Sequence, residues 1–231
     1  MGDDLNRQPP TSASVKQQVR RWLDCGREPP EEWCAIPVRK AINALFPYLY
    51  DTDPRRKWNA VRALGHLVAR LADDDREAAR NIVRRLIWNL NDESGGIGWG
   101  AAEAMGEILA NHAGLREEYL QILLSYARQD GNLLEHDLLL GGALWGLIRV
   151  VETSPDALQG ASGHLTMHLR SRDPMVRALA VRLLGLMGDT GVREQLEHLE
   201  GDSTEVMLFG QDGTQSLLIR DLVAEALGRL T

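Results

Sequence analysis

His164 and His168 lie four residues apart in a stretch of helical periodicity, a spacing that can turn two imidazoles toward one metal ion. No third ligand follows nearby, and the glutamate that stands between such histidines in zinc proteases is missing. The pair therefore reads as surface or packing histidines, and no metal is expected. Glu135-His136-Asp137 sets acid and base side by side, but sequence neighbours on a helix point in different directions and do not converge on one substrate atom. Glu103 and Glu107, one helical turn apart, form either a carboxylate pair or an acidic, solvated stripe. No serine, threonine or cysteine stands in a recognisable nucleophile setting. The expectation is no catalytic residue and no cofactor.

The least ordinary local segment is 89–100, NLNDESGGIGWG, where four glycines fall within six residues at the start of a helical pattern. Ser94 is a natural N-cap, and Gly95, Gly96, Gly98 and Gly100 would bare backbone N–H groups to an anion or to a partner's backbone. Close helix packing beside a flexible turn accounts for the same glycines. A phosphate-binding P-loop is excluded, because its Lys-Ser/Thr ending and its preceding strand are both missing.

What positions these residues is a repeat. A small-large-Gly signature recurs inside apolar helical patterns: Ala63-Leu64-Gly65, Ala104-Met105-Gly106, Leu144-Trp145-Gly146, Leu183-Leu184-Gly185 and Ala226-Leu227-Gly228, with the glycines 41, 40, 39 and 43 residues apart. A period near 40 is the length of two helices and their turns, so the chain reads as stacked helical hairpins. Asp53-Pro54 and Asp173-Pro174 supply the N-cap and first residue of two second helices. First helices are expected at 36–50, 75–90, 115–128, 156–169 and 192–199. In the last unit, Glu205-Val206-Met207-Leu208-Phe209 and Gln215-Ser216-Leu217-Leu218 flank Asp212-Gly213, which predicts a small β-hairpin inserted between two helices.

In DPRRKWNAVRALG from Asp53 and DPMVRALAVRLLG from Asp173, the chain resembles the HEAT-repeat family, specifically the bacterial subtype related to phycobilisome-lyase HEAT-like repeats. The glycine-rich stretch is similar to one in uncharacterised bacterial HEAT-like proteins. The resemblance covers about residues 36–231 and is weakest in the third unit, where Leu134 and Glu135 replace Asp-Pro. It implies an all-α fold, a right-handed α-solenoid (α-α superhelix) of about five HEAT-like hairpins. Residues 1–14 are expected as a disordered tail, and 15–231 as the repeat domain. That domain opens with a capping helix at 15–24, on which Val15, Val19, Trp22 and Leu23 form one stripe. Its units fall at about 36–71, 75–111, 115–151, 156–189 and 192–231.

Charge and cysteine content narrow the function classes. With 33 acidic residues against 26 basic ones and a net charge of -7, the basic surplus of a general nucleic-acid binder is missing. Two cysteines, Cys25 and Cys34, are too few for a disulfide scaffold; two reduced thiols are expected, with a bridge between them as the alternative. No secretion signal opens the chain and no apolar run reaches the roughly 18 residues of a membrane span, so a cytoplasmic location without a membrane partner is expected.

Positions seven and three before each signature glycine and one after it share a helix face. On the concave side of a solenoid this face is expected to be exposed. The candidate partner-binding residues are Trp58, Arg62 and His66 in the first unit and Trp99, Glu103 and Glu107 in the second. Tryptophan with charges of both signs suits a protein or peptide partner; the alternative for Trp58 and Trp99 is packing between helices. The expected function is a non-catalytic scaffold or adaptor holding a partner segment in the concave groove. The resemblance implies one alternative, a chromophore lyase or chaperone of cofactor attachment, and a HEAT-like DNA glycosylase is another, against which the net charge counts.

Overall fold

In the computed structural model, which describes residues 11–25, 36–91, 98–210 and 213–230, both Asp-Pro pairs cap helices as expected. Asp53 accepts the Arg55 N–H at 2.9 Å at the head of α3 (Pro54–Asp74), and Asp173 accepts that of Val176 at 2.9 Å at the head of α9 (Pro174–Met187). Each carboxylate satisfies a backbone donor that the helix cannot, and proline fills a position whose N–H would be orphaned anyway. The remaining second helices are α5 (Ala101–Asn111), α7 (Asp137–Thr153) and α11 (Ile219–Arg229). They pack side by side in the order α3, α5, α7, α9, α11.

Two of the signature glycines, Gly106 and Gly146, are where α5 and α7 touch. A Cβ on Gly106 of α5 would fall on the Gly146 Cα of α7 and within 2.7 Å of its carbonyl group, and one on Gly146 would lie 2.8 Å from the Ala102 carbonyl oxygen. Two backbones therefore meet with no side chain between them; Gly65 instead makes room for the Glu107 side chain and Gly185 for Ala226 of α11, while a Cβ on Gly228 would meet no described atom within 4 Å.

An outer layer covers this stack. It begins with α1 (Ser12–Cys25) and α2 (Val38–Leu45), the latter continued by a 3-10 turn at Phe46–Tyr50, and goes on through α4 (Arg76–Leu90) and α6 (Ala113–Ser125). The fourth and fifth first helices are not continuous, contrary to expectation. Residues 156–169 break into a 3-10 turn at Pro155–Leu158, the short α8 (Ser162–Leu165) and a second 3-10 turn at Thr166–Arg170; 192–199 holds the end of a 3-10 turn at Thr190–Val192 and the short α10 (Arg193–Glu197). Gly160 sits at a φ of 80° between the first two pieces, a backbone state that ends a right-handed helix. Helix α1 starts at Ser12, so the expected tail is helical over its last three residues; residues 1–10 lie outside the described set, as does Cys34. Cys25 is an exposed thiol.

The predicted hairpin is present. Strands β1 (Glu205–Gly210) and β2 (Gly213–Leu218) pair antiparallel from Glu205 with Leu218 to Gly210 with Gly213. Alternation buries Val206 and Leu208 and leaves Met207 and Phe209 for the other face. Among the described residues no helix is long and apolar enough to cross a membrane.

Candidate functional site

Phe209 is carried by the hairpin back to the beginning of the array. Its ring stacks parallel on Trp58 of α3 with centroids 4.2 Å apart, and its carbonyl oxygen accepts the Trp145 indole N–H of α7 at 2.9 Å. Trp145 in turn tilts against Trp58 at 4.6 Å. The Arg62 guanidinium lies 4.8 Å from the Phe209 ring centre and the Lys57 ammonium 4.9 Å from that of Trp58, so positive charge sits over both rings. Three rings and two cations join the first, third and last units through one cluster.

Beside this cluster lies a cavity of about 330 Å³. Trp58, Lys57 and Pro54 of α3, Glu103 of α5 and Trp145 of α7 form one side, and Leu138, Gly141 and Gly142 extend it along α7. Met175 and Leu179 of α9 and Met207, Leu208, Phe209 and Thr214 of the hairpin complete the lining. Most of this lining is apolar, with Asp137 and Asp173 at the heads of α7 and α9.

The stripe expected to be solvated is not so throughout. Glu103 and Glu107 are 5% and 3% exposed, and Leu139, Ala143, Leu147 and Ala178 are also buried. The acidic surface expected of Glu103 and Glu107 is thereby corrected: both are interior ion-pair partners. Glu103 bonds the Lys57 Nζ at 2.7 Å, and its carboxylate occupies space left by Gly142, where a Cβ would lie 2.5 Å from Oε2. Glu107 accepts from Arg149 Nε at 2.8 Å and Nη2 at 3.3 Å. Arg149 also reaches Glu152, which pairs with Arg182 of α9 at 3.1 Å. Charge thus alternates in sign from α5 through α7 to α9. Two carboxylates this far from water persist because each has a cation in contact.

Of the remaining candidates, Trp58 is half-buried and Arg62 lies against the hairpin, while His66 is exposed. Trp99 is 40% exposed and does not line the recess. Gly100 has a φ of 72° and its Cα faces the Leu49 carbonyl oxygen, while a Cβ on Gly98 would lie 3.2 Å from the Asn89 carbonyl oxygen and from Leu139. These two glycines serve close packing. Ser94, Gly95 and Gly96 lie outside the described residues.

The histidine pair does not converge. His164 is exposed on α8, 3.8 Å from Asp130, whereas His168 is buried in the following 3-10 turn and donates from Nε2 to the Ala127 carbonyl oxygen at 2.7 Å. Among the described residues no cluster of three metal-ligating side chains exists. His136 caps α7 by accepting the Leu138 N–H at 3.2 Å, which gives the Glu135-His136-Asp137 cluster a structural account.

Burial lowers the His168 pKa below its ordinary 6.5, despite the opposing carbonyl bond. The unfolded chain therefore binds this proton where the folded chain refuses it. Stability from this residue is complete above about 6.5 and falls as the pH drops below that value. Denaturant titrations at successive pH values should show this fall in the wild type and a flatter profile in His168→Gln, whose amide can still donate to Ala127. Parallel profiles would refute it.

Sequence reading missed Trp145 and Phe209. One signal was available: Trp145 stands in the signature position that Leu64, Met105, Leu184 and Leu227 fill elsewhere, and an indole N–H in a packing position requires an acceptor.

These features define a helical-repeat solenoid of the armadillo-like kind with a groove walled by its own hairpin. An engineered protein of known structure matches 95% of this chain and 91% of its own with a TM-score of 0.58 at 17% identity. Armadillo repeat proteins computationally designed for modular peptide recognition include one that matches 96% of this chain and 95% of its own, with a TM-score of 0.54 at 15% identity. An uncharacterized protein of Archaeoglobus fulgidus is 34% identical over 83 residues, 34% of this chain; the match spans 42% of that relative's length. No family model matches the chain.

Proposed function

We propose that the protein is a non-catalytic HEAT-type scaffold of five helical units that holds a segment of a protein or peptide partner in the groove between Trp58, Trp145 and the hairpin. The observation carrying this reading is the cavity itself, an apolar recess of about 330 Å³ whose lining includes Trp58, Trp145 and Phe209. Aromatic anchors in a recess are what peptide and protein recognition uses. Armadillo proteins of the same architecture have been designed for peptide recognition, which supports the reading. Three carboxylates against one ammonium line the recess, a poor match to a phosphate backbone and a point against the glycosylase alternative. The cytoplasmic setting belongs to the same proposal, and His66, Arg62 and Trp99 would flank the bound segment.

Leu138, 48% exposed and lining the recess, is the position for a test. A photoreactive benzoylphenylalanine placed there, in the cells that make the protein, should give an adduct with one discrete protein segment. Trp58→Ala in the same chain, with its helix content intact, should abolish that adduct. Adducts confined to the protein's own hairpin, or to nucleic acid, would overturn the proposal.

A further inference from the structure

We infer that the segment held in this groove presents a lysine or arginine beside an apolar side chain. This rests on the groove reading above and adds the chemistry of the occupant. Among the residues lining the recess, the carboxylates of Glu103, Asp137 and Asp173 face the single ammonium of Lys57. Lys57 is committed to Glu103 at 2.7 Å, with both side chains largely buried, so that pair is neutral as a unit. Within the lining, the charge left over is that of Asp137 and Asp173; Arg62 stands over the Phe209 ring, outside the lining.

Both stand at the heads of helices, where backbone N–H groups carry about half a positive charge per helix. Two carboxylates against two such ends leave an excess of about one negative charge at the mouth of the recess. Asp173 Oδ1 accepts the Val176 N–H, and among the described residues nothing bonds Oδ2. Asp137 lies in the exposed first turn of α7.

The apolar half of the occupant follows from the rest of the lining. Leu138, Leu179, Met175 and Met207 line the same recess as the two aspartates and the rings, and thioether side chains adapt to side chains of different shape. A phosphate-bearing or carboxylate-rich occupant would meet like charge at the mouth. A cationic side chain would meet Asp137 and Asp173 there while its apolar neighbour enters the recess. A long basic side chain also buries its methylene stem against apolar walls.

A random linear peptide library displayed on phage and selected against the full chain is the direct test. Asp137→Asn/Asp173→Asn and Trp58→Ala are the comparison variants; asparagine at 173 keeps the helix cap. Enriched sequences should share lysine or arginine next to leucine, methionine, isoleucine or phenylalanine. A synthetic peptide of that sequence should bind about tenfold more weakly to the double variant, read by tryptophan fluorescence. Enriched peptides without basic residues, bound equally by wild type and double variant, would overturn this inference and leave the groove reading standing. No enrichment over Trp58→Ala, or self-association that Trp58→Ala abolishes, would overturn both.

Discussion

Gly106→Ala should destabilise the protein by about 2–3 kcal/mol although it places the best helix former inside a helix. Considered alone, α5 would gain about 1 kcal/mol from the change. The new methyl, however, would fall on the Gly146 Cα and within 2.7 Å of its carbonyl group. Backbone cannot rotate away as a side chain can, so α5 and α7 must separate and lose packing along their whole contact. The same substitution at Gly228 gives the opposite sign, because a Cβ there meets no described atom within 4 Å. Gly228→Ala should leave stability unchanged or raise it by up to about 1 kcal/mol. Urea denaturation followed by circular dichroism measures both. Equal effects at the two sites would mean that Gly106 does not mark a backbone contact between α5 and α7, and that account of its place in the repeat would fall.

The features legible in the sequence were those that each unit must solve alone or against its next neighbour. Aspartate at the cap and proline at the first turn are local demands met in the first and fourth units, and the small-large-Gly signature recurs with the period of the fold. The hairpin was legible because strand alternation and an Asp-Gly turn are local as well.

The interior charges were not, and the reason is instructive. Glu103 and Glu107 look like a solvated stripe on their own helix, and only the adjoining units reveal that they are covered. Their partners lie about one repeat away: Lys57 is 46 residues before Glu103, and Arg149 is 42 after Glu107. The outer layer follows the same rule, with Arg76 and Arg80 reaching Glu118 over 42 and 38 residues. These bonds from Arg80 and Arg76 hold the Glu118 carboxyl down to about 2. Searching for opposite charges offset by one repeat would have found both ladders. No such rule finds the bond from Trp145 to Phe209, 64 residues apart, because the hairpin is an insertion and crosses units instead of touching the next one.

Arg149→Met should cost about 3–5 kcal/mol. Methionine fills much of the same volume, so lost packing is a small part of the effect. What remains is Glu107, 3% exposed, stripped of both guanidinium contacts and left with Asn111 Nδ2 at 3.4 Å. Glu152 suffers less because it keeps Arg182. Replacing the orphaned carboxylate should therefore restore much of the loss, and Glu107→Gln/Arg149→Met should be at least about 2 kcal/mol more stable than Arg149→Met alone. The same logic separates this seam from the outer ion pairs. Arg84 and Glu77 are bonded at 2.6 Å but stand more than half exposed, and Arg84→Gln should change stability too little to measure. Denaturation midpoints of these variants test the claim together. If Arg149→Met and Arg84→Gln behaved alike, or if the double variant were no better than Arg149→Met, Glu107 would be reached by water in solution and the seam would be a surface feature after all.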